Sequence, residues 1–428
     1  MMKKIINFLT YLTLTLFLIL FVLLTLINFN FFNLKTNLYS NLPNIELRKE
    51  VFNKKSIMEK FRNDYNIKFL PYTQFEELDF KKKKIKFNNE YFTNKLKYEN
   101  TASYKRYGTF FIDFYADALI VTDYLGNTYS LDKITDIISS DNEFITKNIK
   151  NNLKVERVFD SFIYKNKIFV SYTLKKNNCN TINISYAEIK LDYLDFKNFF
   201  SPNICSKTGS PGRMQFIQID KTPGLLLSTS EGVLDQPGTN AQNSESIFGK
   251  VLFIPFDQSI KFRIFSSGHR VIQGLNVHNG KIIATEHGPR GGDEINKLIQ
   301  NSNYGWPVVS LGERYDFKYN NKSLNYKKNH KANKFKDPIF SFIPSIGISE
   351  VINLPKNFSI FYDNHYIVAS LNGRSIFLIR FDDQGTKILS SERIFLNQRI
   401  RDLKYHEKTK SILLALEEDG EIGILSNQ

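Results

Sequence analysis

Cysteine is nearly missing from this chain: Cys179 and Cys205 are the only two in 428 residues. Neither sits in a C-x-x-C spacing, which speaks against a thiolate zinc centre. No G-x-G-x-x-G opens a helix, so a dinucleotide or Walker-type phosphate loop is not supported. No long 3.6-residue periodicity appears beyond the N-terminus, and βαβ alternation is missing with it. "ESIFGK" and "DEINKLIQ" read as a helical turn or so, no more. Tryptophan occurs once, at Trp306, and histidine is absent before His269. Acidic residues are under-represented: 58 Lys and Arg face 43 Asp and Glu, for a net charge of +15. The basic residues are spread along the whole chain rather than gathered, which argues against a nucleic-acid partner. The tight run Lys81 to Lys86 reads as a solvated loop or edge strand.

Charge is also missing near the N-terminus, where no charged residue separates Lys4 from Lys35. That uncharged stretch exceeds the ~20 residues needed to cross a bilayer. It is too long for a cleaved signal, and Asn28, Asn30 and Phe32 stand where small residues should mark a cut site. Residues 1–35 are therefore expected to form a signal anchor, a single-pass inner-membrane helix with Lys3 and Lys4 on the cytoplasmic side. Residues 36–65 would follow as a stalk or first strand, and 66–428 would lie in the periplasm. In that oxidising compartment Cys179 and Cys205 could bridge, stabilising the fold by roughly 3–4 kcal/mol.

What the chain does have is strands. "ALIVTDYLGNTYSL", "KIFVSYTL", "GLLLSTSEG", "KVLFIPF", "GKIIATEHG", "HYIVASLNGRSIFLIRF" and "KSILLALEEDGEIGIL" are short β-branched or apolar runs bounded by Gly, Asn or Asp. "DYLGNTY", "LNGRS" and "EEDGEI" read as hairpin turns. With hydrophobic residues at 42% there is ample core material. So many strands point to an all-β fold, and a propeller closes them without long exposed edges. A repeat is not visible as clear self-similarity.

Against this background residues 284–307, "ATEHGPRGGDEINKLIQNSNYGWP", stand out. With "GRMQFIQIDKTPGLLLSTSEG" (212–232), "TNAQNSESIFGKVLFI" (239–254), "GHRVIQG" (268–274), "ASLNGRSIFLIRF" (369–381) and "QRIRDLKY" (398–405), they resemble the pyrroloquinoline-quinone-dependent aldose sugar dehydrogenases, the glucose/sorbosone dehydrogenase family. The segments match in the family's order; residues 36–208 match only vaguely. The resemblance implies a six-bladed β-propeller, pyrroloquinoline quinone (PQQ) and Ca²⁺ as cofactors, and a small sugar or alcohol as substrate. It implies that Arg270, Arg399 and Arg401 hold the quinone's carboxylates and carbonyls, with Asn372 in a cofactor-facing turn. Guanidinium suits such a ligand because it forks onto carboxylates. The x-alternation of Arg399 and Arg401 places both on one strand face. Gly288 and Pro289 would offer carbonyls to the calcium, a cation that prefers oxygen, and Asp293 would partner Arg270. Tyr304 and Trp306 read as packing residues.

One expectation fails within the sequence itself. The family takes the substrate's hydroxyl proton with a His just before its G-R strand, and imidazole titrates in the right range for that task. Here that position is Gly209 or an immediate neighbour, in "CSKTGSPGRM". Glu231 or Asp235 could substitute. Val271 replaces an Asn, Asn372 stands where a Lys often touches the cofactor, and Ile343-Pro344 stands for a Trp-Pro. Two readings follow: a membrane-anchored quinoprotein-like dehydrogenase with an altered base, or a propeller that binds a ligand or envelope partner without oxidising it.

Overall fold

The computed structural model describes residues 15–22, 78–83, 85–86 and 109–427, except 140–143, 177–178, 207–208, 232–239, 314–325, 360–361, 363 and 419. The chain divides into two compact units, one built on Met1–Gln74 and the other holding almost all of the remainder. In the first unit residues 15–22 are helical with exposed apolar side chains. Among the described residues no helix is long and apolar enough to cross a membrane. The rest of the expected anchor and the 36–65 stalk lie outside the described residues.

The second unit is a six-bladed propeller. Its blades begin with the strands Phe110–Tyr115, Arg157–Tyr164, Ser210–Ile219, Ile272–His278, Ile348–Asn353 and Ile400–His406. Each of these pairs antiparallel with the next strand in its own blade, and the six pack side by side in a closed ring, blade 6 returning to blade 1. Leu78–Lys83 closes the ring from the N-terminal side, pairing antiparallel with Glu421–Asn427 as the outer strand of blade 6. The lysine run thus lies partly on an edge strand, where charge discourages further pairing.

Burial explains why these segments are strands. Ala118–Asp123, Lys250–Pro255, His365–Ser370 and Ser411–Leu416 are buried at every residue, since each is covered on both faces by neighbouring blades. Continuous apolar runs are what a doubly covered strand requires. Ile388–Phe395, on the rim of blade 5, instead alternates half-buried with exposed residues. Six apolar clusters fill the six interfaces between blades, such as Leu225, Leu252 and Ile254 against Ile182 and Ile184. The "DEINKLIQ" segment is not helical: Asp293–Lys297 is a strand between Lys281–Glu286 and Phe340–Phe342. Ile295 there is fully buried, so pairing on both edges overrides local propensity. Cys179 and Cys205 are bonded, tying Cys205–Ser206 to the third strand of blade 2.

The axis is filled with charge. Arg213, on the first strand of blade 3, reaches Asp160 at 2.9 Å, Glu350 at 3.1 Å and Asp402 at 3.1 Å, from blades 2, 5 and 6. Lys404 lies 3.8 Å from Asp113 of blade 1. The acids also accept backbone N–H groups of neighbouring blades: Asp113 from Ile163, Asp160 from Met214, Glu350 from Leu275 and Asp402 from Ile112. The first strands of blades 2 to 6 carry register shifts near this level. The carboxylates satisfy N–H groups on the first strands, each of which has a ladder partner on one side alone.

Two cations here face four carboxylates. Burial pushes Asp160 up to about 6 against the pull of Arg213. Burial likewise holds Glu350 well above the usual carboxylate range, with Arg213 opposing and Asp402 adding to the rise. Replacing Arg213 by Met leaves these acids uncompensated, so we expect a loss of about 3–5 kcal/mol in urea unfolding; a loss within experimental error would remove the network from the account. The pH dependence has a defined sign. The folded chain keeps a proton on Glu350 that the unfolded chain has released, so this group's contribution to stability falls as pH rises above the normal carboxylate range. Glu350→Gln should flatten the slope of stability between about pH 5 and 8, and an unchanged slope would exclude Glu350 as its source.

Candidate functional site

The connections entering each first strand and the hairpins joining second to third strands lie at one end of the propeller. Every candidate site residue among those described falls in or beside them. Arg270 precedes the first strand of blade 4, and Gly288 to Asp293 form that blade's hairpin. Arg399 and Arg401 flank the start of blade 6, Asn372 sits in the hairpin of blade 5, and Gly209 and Glu231 belong to blade 3.

Arg270 is held by its backbone and its tip. Its N–H donates to Glu286 Oε1, and Glu286 Oε2 accepts from His269 Nδ1 at 3.0 Å. His269 Nε2 lies 2.8 Å from Ser266 Oγ and its ring stacks on Tyr304, all of them buried. This chain resembles a nucleophile–imidazole–carboxylate relay, but Ser266 and His269 are sealed inside the blade, at 1% and 0% exposure, so it orients the backbone rather than attacks a substrate. The Arg270 guanidinium donates to the carbonyls of His287 at 3.1 Å and Gly288 at 2.9 Å and lies over the Trp306 ring. Its Nε is buried without a hydrogen-bond partner. Arg270, His287, Gly288, Gly292, Tyr304 and Trp306 line a small cleft here.

The hairpin of blade 4 is tight because it must be. Gly291 and Gly292 take φ of +81° and +68°, and a Cβ at Gly292 would come within 2.3 Å of the Gly312 nitrogen. Asp293 pins this turn and blade 5 together, accepting from the N–H groups of Gly288, Ile346 and Ile348 at 3.1, 3.0 and 3.0 Å. Its expected ion pair with Arg270 is not among these bonds: the carboxylate is engaged by three backbone donors, and the Arg270 guanidinium turns to the carbonyls of His287 and Gly288. Gly288 offers its carbonyl to Arg270 rather than to open space, and Pro289 is buried.

Arg399 and Arg401 converge, as their spacing predicts, and a carboxylate not foreseen lies between them. Glu417 Oε2 accepts from Arg401 Nε at 2.6 Å and pairs with its Nη2 at 2.5 Å, while Oε1 pairs with Arg399 Nη2 at 3.3 Å. Arg401 also donates to Gln273 Oε1 at 3.0 Å. Burial, opposed by Glu417, draws the Arg401 guanidinium down to about 10. Asn372 is exposed, its backbone packed against Gly347.

Of the two candidate replacements for the missing base, Glu231 alone lies among the described residues. A Cβ at Gly209 would lie 2.2 Å from the Phe248 ring, so Phe248 fills the space a side chain would need. Glu231 is 2% exposed and does not line the cleft. Burial raises its carboxyl above the usual range; N–H groups of Ala241 and Asn240 offset this in part, yet neither oxygen reaches a donor in hydrogen-bonding geometry. Asp235 lies outside the described residues. Tyr304 packs as expected, its hydroxyl donating to Lys297 O at 2.5 Å. Trp306 packs against Tyr326 but also carries Arg270 on its face.

Fold and site together define a class: a six-bladed propeller with arginines gathered over the axis at one end. The family model described as Glucose / Sorbosone dehydrogenase matches residues 152–424, and the chain belongs to that family. It is 33% identical over 113 residues to quinoprotein glucose dehydrogenase B of Acinetobacter calcoaceticus, covering 24% of this chain and 23% of that one. It is 25% identical over 247 residues to the aldose sugar dehydrogenase YliI of Escherichia coli, covering 53% of this chain and 63% of that one. The chain thus spans less than two thirds of either relative in these matches. The PQQ-bound aldose sugar dehydrogenase of Streptomyces coelicolor superposes with a TM-score of 0.55 over 82% of this chain and 99% of that one, at 15% identity, a likeness of fold.

The Phe248 contact has a direct consequence. Gly209→His alone should destabilise the protein by roughly 1–3 kcal/mol through overpacking and yield no sugar oxidation. A well-folded Gly209→His variant that oxidises aldoses with added quinone would show the space to be available after all.

Proposed function

We propose that the arginine-bearing end of this propeller binds an anionic quinone of the PQQ type, and that the chain is a quinoprotein-like sugar dehydrogenase with altered equipment for proton removal. The observation that carries this reading is the gathering of Arg270, Arg399 and Arg401 at one end, with the buried Arg270 Nε lacking a partner. An orphaned cationic donor beside a cleft suits an anion. Arg270, Arg399 and Arg401 would hold the carboxylates, and Asn372 would offer a neutral amide at the rim. The quinone, when bound, supplies a two-electron acceptor for hydride. Family membership and the names of the relatives support a sugar as the substrate.

Calcium is the weaker half of the proposal. A cation at the Gly288 carbonyl would sit beside a guanidinium nitrogen now 2.9 Å from that oxygen. It would have to displace Arg270, whereas the quinone's charge is already met by arginine. The second reading, ligand binding without oxidation, is favoured by Phe248 filling the space at Gly209. Weak turnover fits either reading, because loss of a general base typically slows a reaction about 10²–10⁴-fold.

The proposal also puts the propeller in the periplasm on an inner-membrane anchor. The uncharged N-terminus and the Cys179–Cys205 bond support it.

The test is reconstitution of the purified propeller with PQQ, followed by absorbance, with Ca²⁺ and separately with a chelator. Saturable binding in both arms is expected, and no binding in either would end the quinone reading. Reduction of the bound quinone by an aldose would support the dehydrogenase; binding without reduction by a panel of sugars and alcohols would leave the second reading.

A further inference from the structure

Glu417 is a buried acid with no part in the readings above. It is 1% exposed, directly follows the second strand of blade 6, and faces two arginines at once. Its backbone N–H donates to the Arg399 carbonyl at 2.8 Å, and Thr109 of blade 1 donates to its Oε2 at 3.3 Å. The carboxylate is therefore fixed from main chain and side chain alike. Its Oε2 takes both Nε and Nη2 of Arg401 while Oε1 faces Arg399, so one carboxylate bridges the two arginines, the position a ligand carboxylate would take.

We infer that Glu417 is a resident counter-ion of the Arg399–Arg401 pair, occupying the arginine contacts an incoming carboxylate needs and so setting which anions the site accepts. The inference rests on the proposed anion site. An anion that binds must displace Glu417 from its arginine contacts, and the site therefore discriminates against ligands whose charge cannot repay that separation. Ligands with several carboxylates, able to reach Arg270 as well, overcome the competition; monocarboxylates do not. The same geometry keeps the arginines from being left buried and uncompensated, a strongly unfavourable state.

Glu417→Gln removes the competing charge and keeps the shape. With PQQ and, separately, citrate as probes, binding at low salt should tighten at least about tenfold over the parent protein. Glu417→Asp, which keeps the charge but draws it back from Arg401, should show a smaller gain and serves if the Gln variant does not fold. Variants that fold and bind both probes no tighter than the parent would overturn the inference. A gain for citrate without any binding of PQQ would keep the counter-ion role and end the quinone reading. Binding of PQQ to the parent with no gain in either variant would do the reverse.

Discussion

Arg213 is the residue on which the rest of the structure depends. One guanidinium, 3% exposed, meets acids from blades 2, 5 and 6, and each of those acids also accepts a backbone N–H from another blade. It donates as well to the carbonyls of Gln273 and Arg401, at 2.7 and 2.8 Å. Removing so many charges from water is costly, and only complete hydrogen bonding offsets it. That requirement makes the arrangement specific: a blade shifted by one residue would leave a buried acid or N–H unpaired. The apolar interfaces supply adhesion between blades, and the axial charges set how they are aligned.

The same contacts build the candidate site. Arg401 leaves the axis with its carbonyl on Arg213 and its side chain on Gln273, and so reaches Glu417 from a fixed origin. On the other side the Glu286–His269 chain fixes the Arg270 backbone. Three arginines thus stand at one end on supports that are themselves buried. Where the family pattern puts its base the surroundings differ, with Phe248 filling the space beside Gly209 and Glu231 buried away from the cleft lining. On the proposed reading the binding half of the site is built, while among the described residues no side chain stands in for the family's base.

Much of this was legible in the sequence. The strands, the hairpins, the arginines and the absence of a histidine near Gly209 could all be read locally or from the family pattern. The axial acids could not, although Asp113, Asp160, Glu350 and Asp402 recur within apolar first strands ("FFIDFY", "VFDSF", "ISEVI", "IRDLKY"). A repeat of one residue per blade is too sparse to register as self-similarity. Glu231, Glu286 and Glu417 likewise stand at or just past the ends of second strands, a rhythm that only the blade register makes plain. The partner of Arg270 was misassigned to Asp293 because proximity in a motif does not reveal which donors claim a carboxylate first. Phe248 is 39 residues from Gly209, and nothing in either segment announces that they touch. Asp293–Lys297 read as no more than a helical turn because its outer partner, Phe340–Phe342, lies far along the chain.

The account's central claim is that the arginine end of the propeller receives a carboxylate-bearing quinone. A crystal structure of the propeller soaked in PQQ tests it most directly. The account predicts the ligand's carboxylates within about 3 Å of guanidinium nitrogens of Arg270, Arg399 and Arg401, with Glu417 moved from its present contacts. Full occupancy elsewhere on the molecule, or an unaltered Glu417–Arg401 pair at saturating ligand, would contradict it.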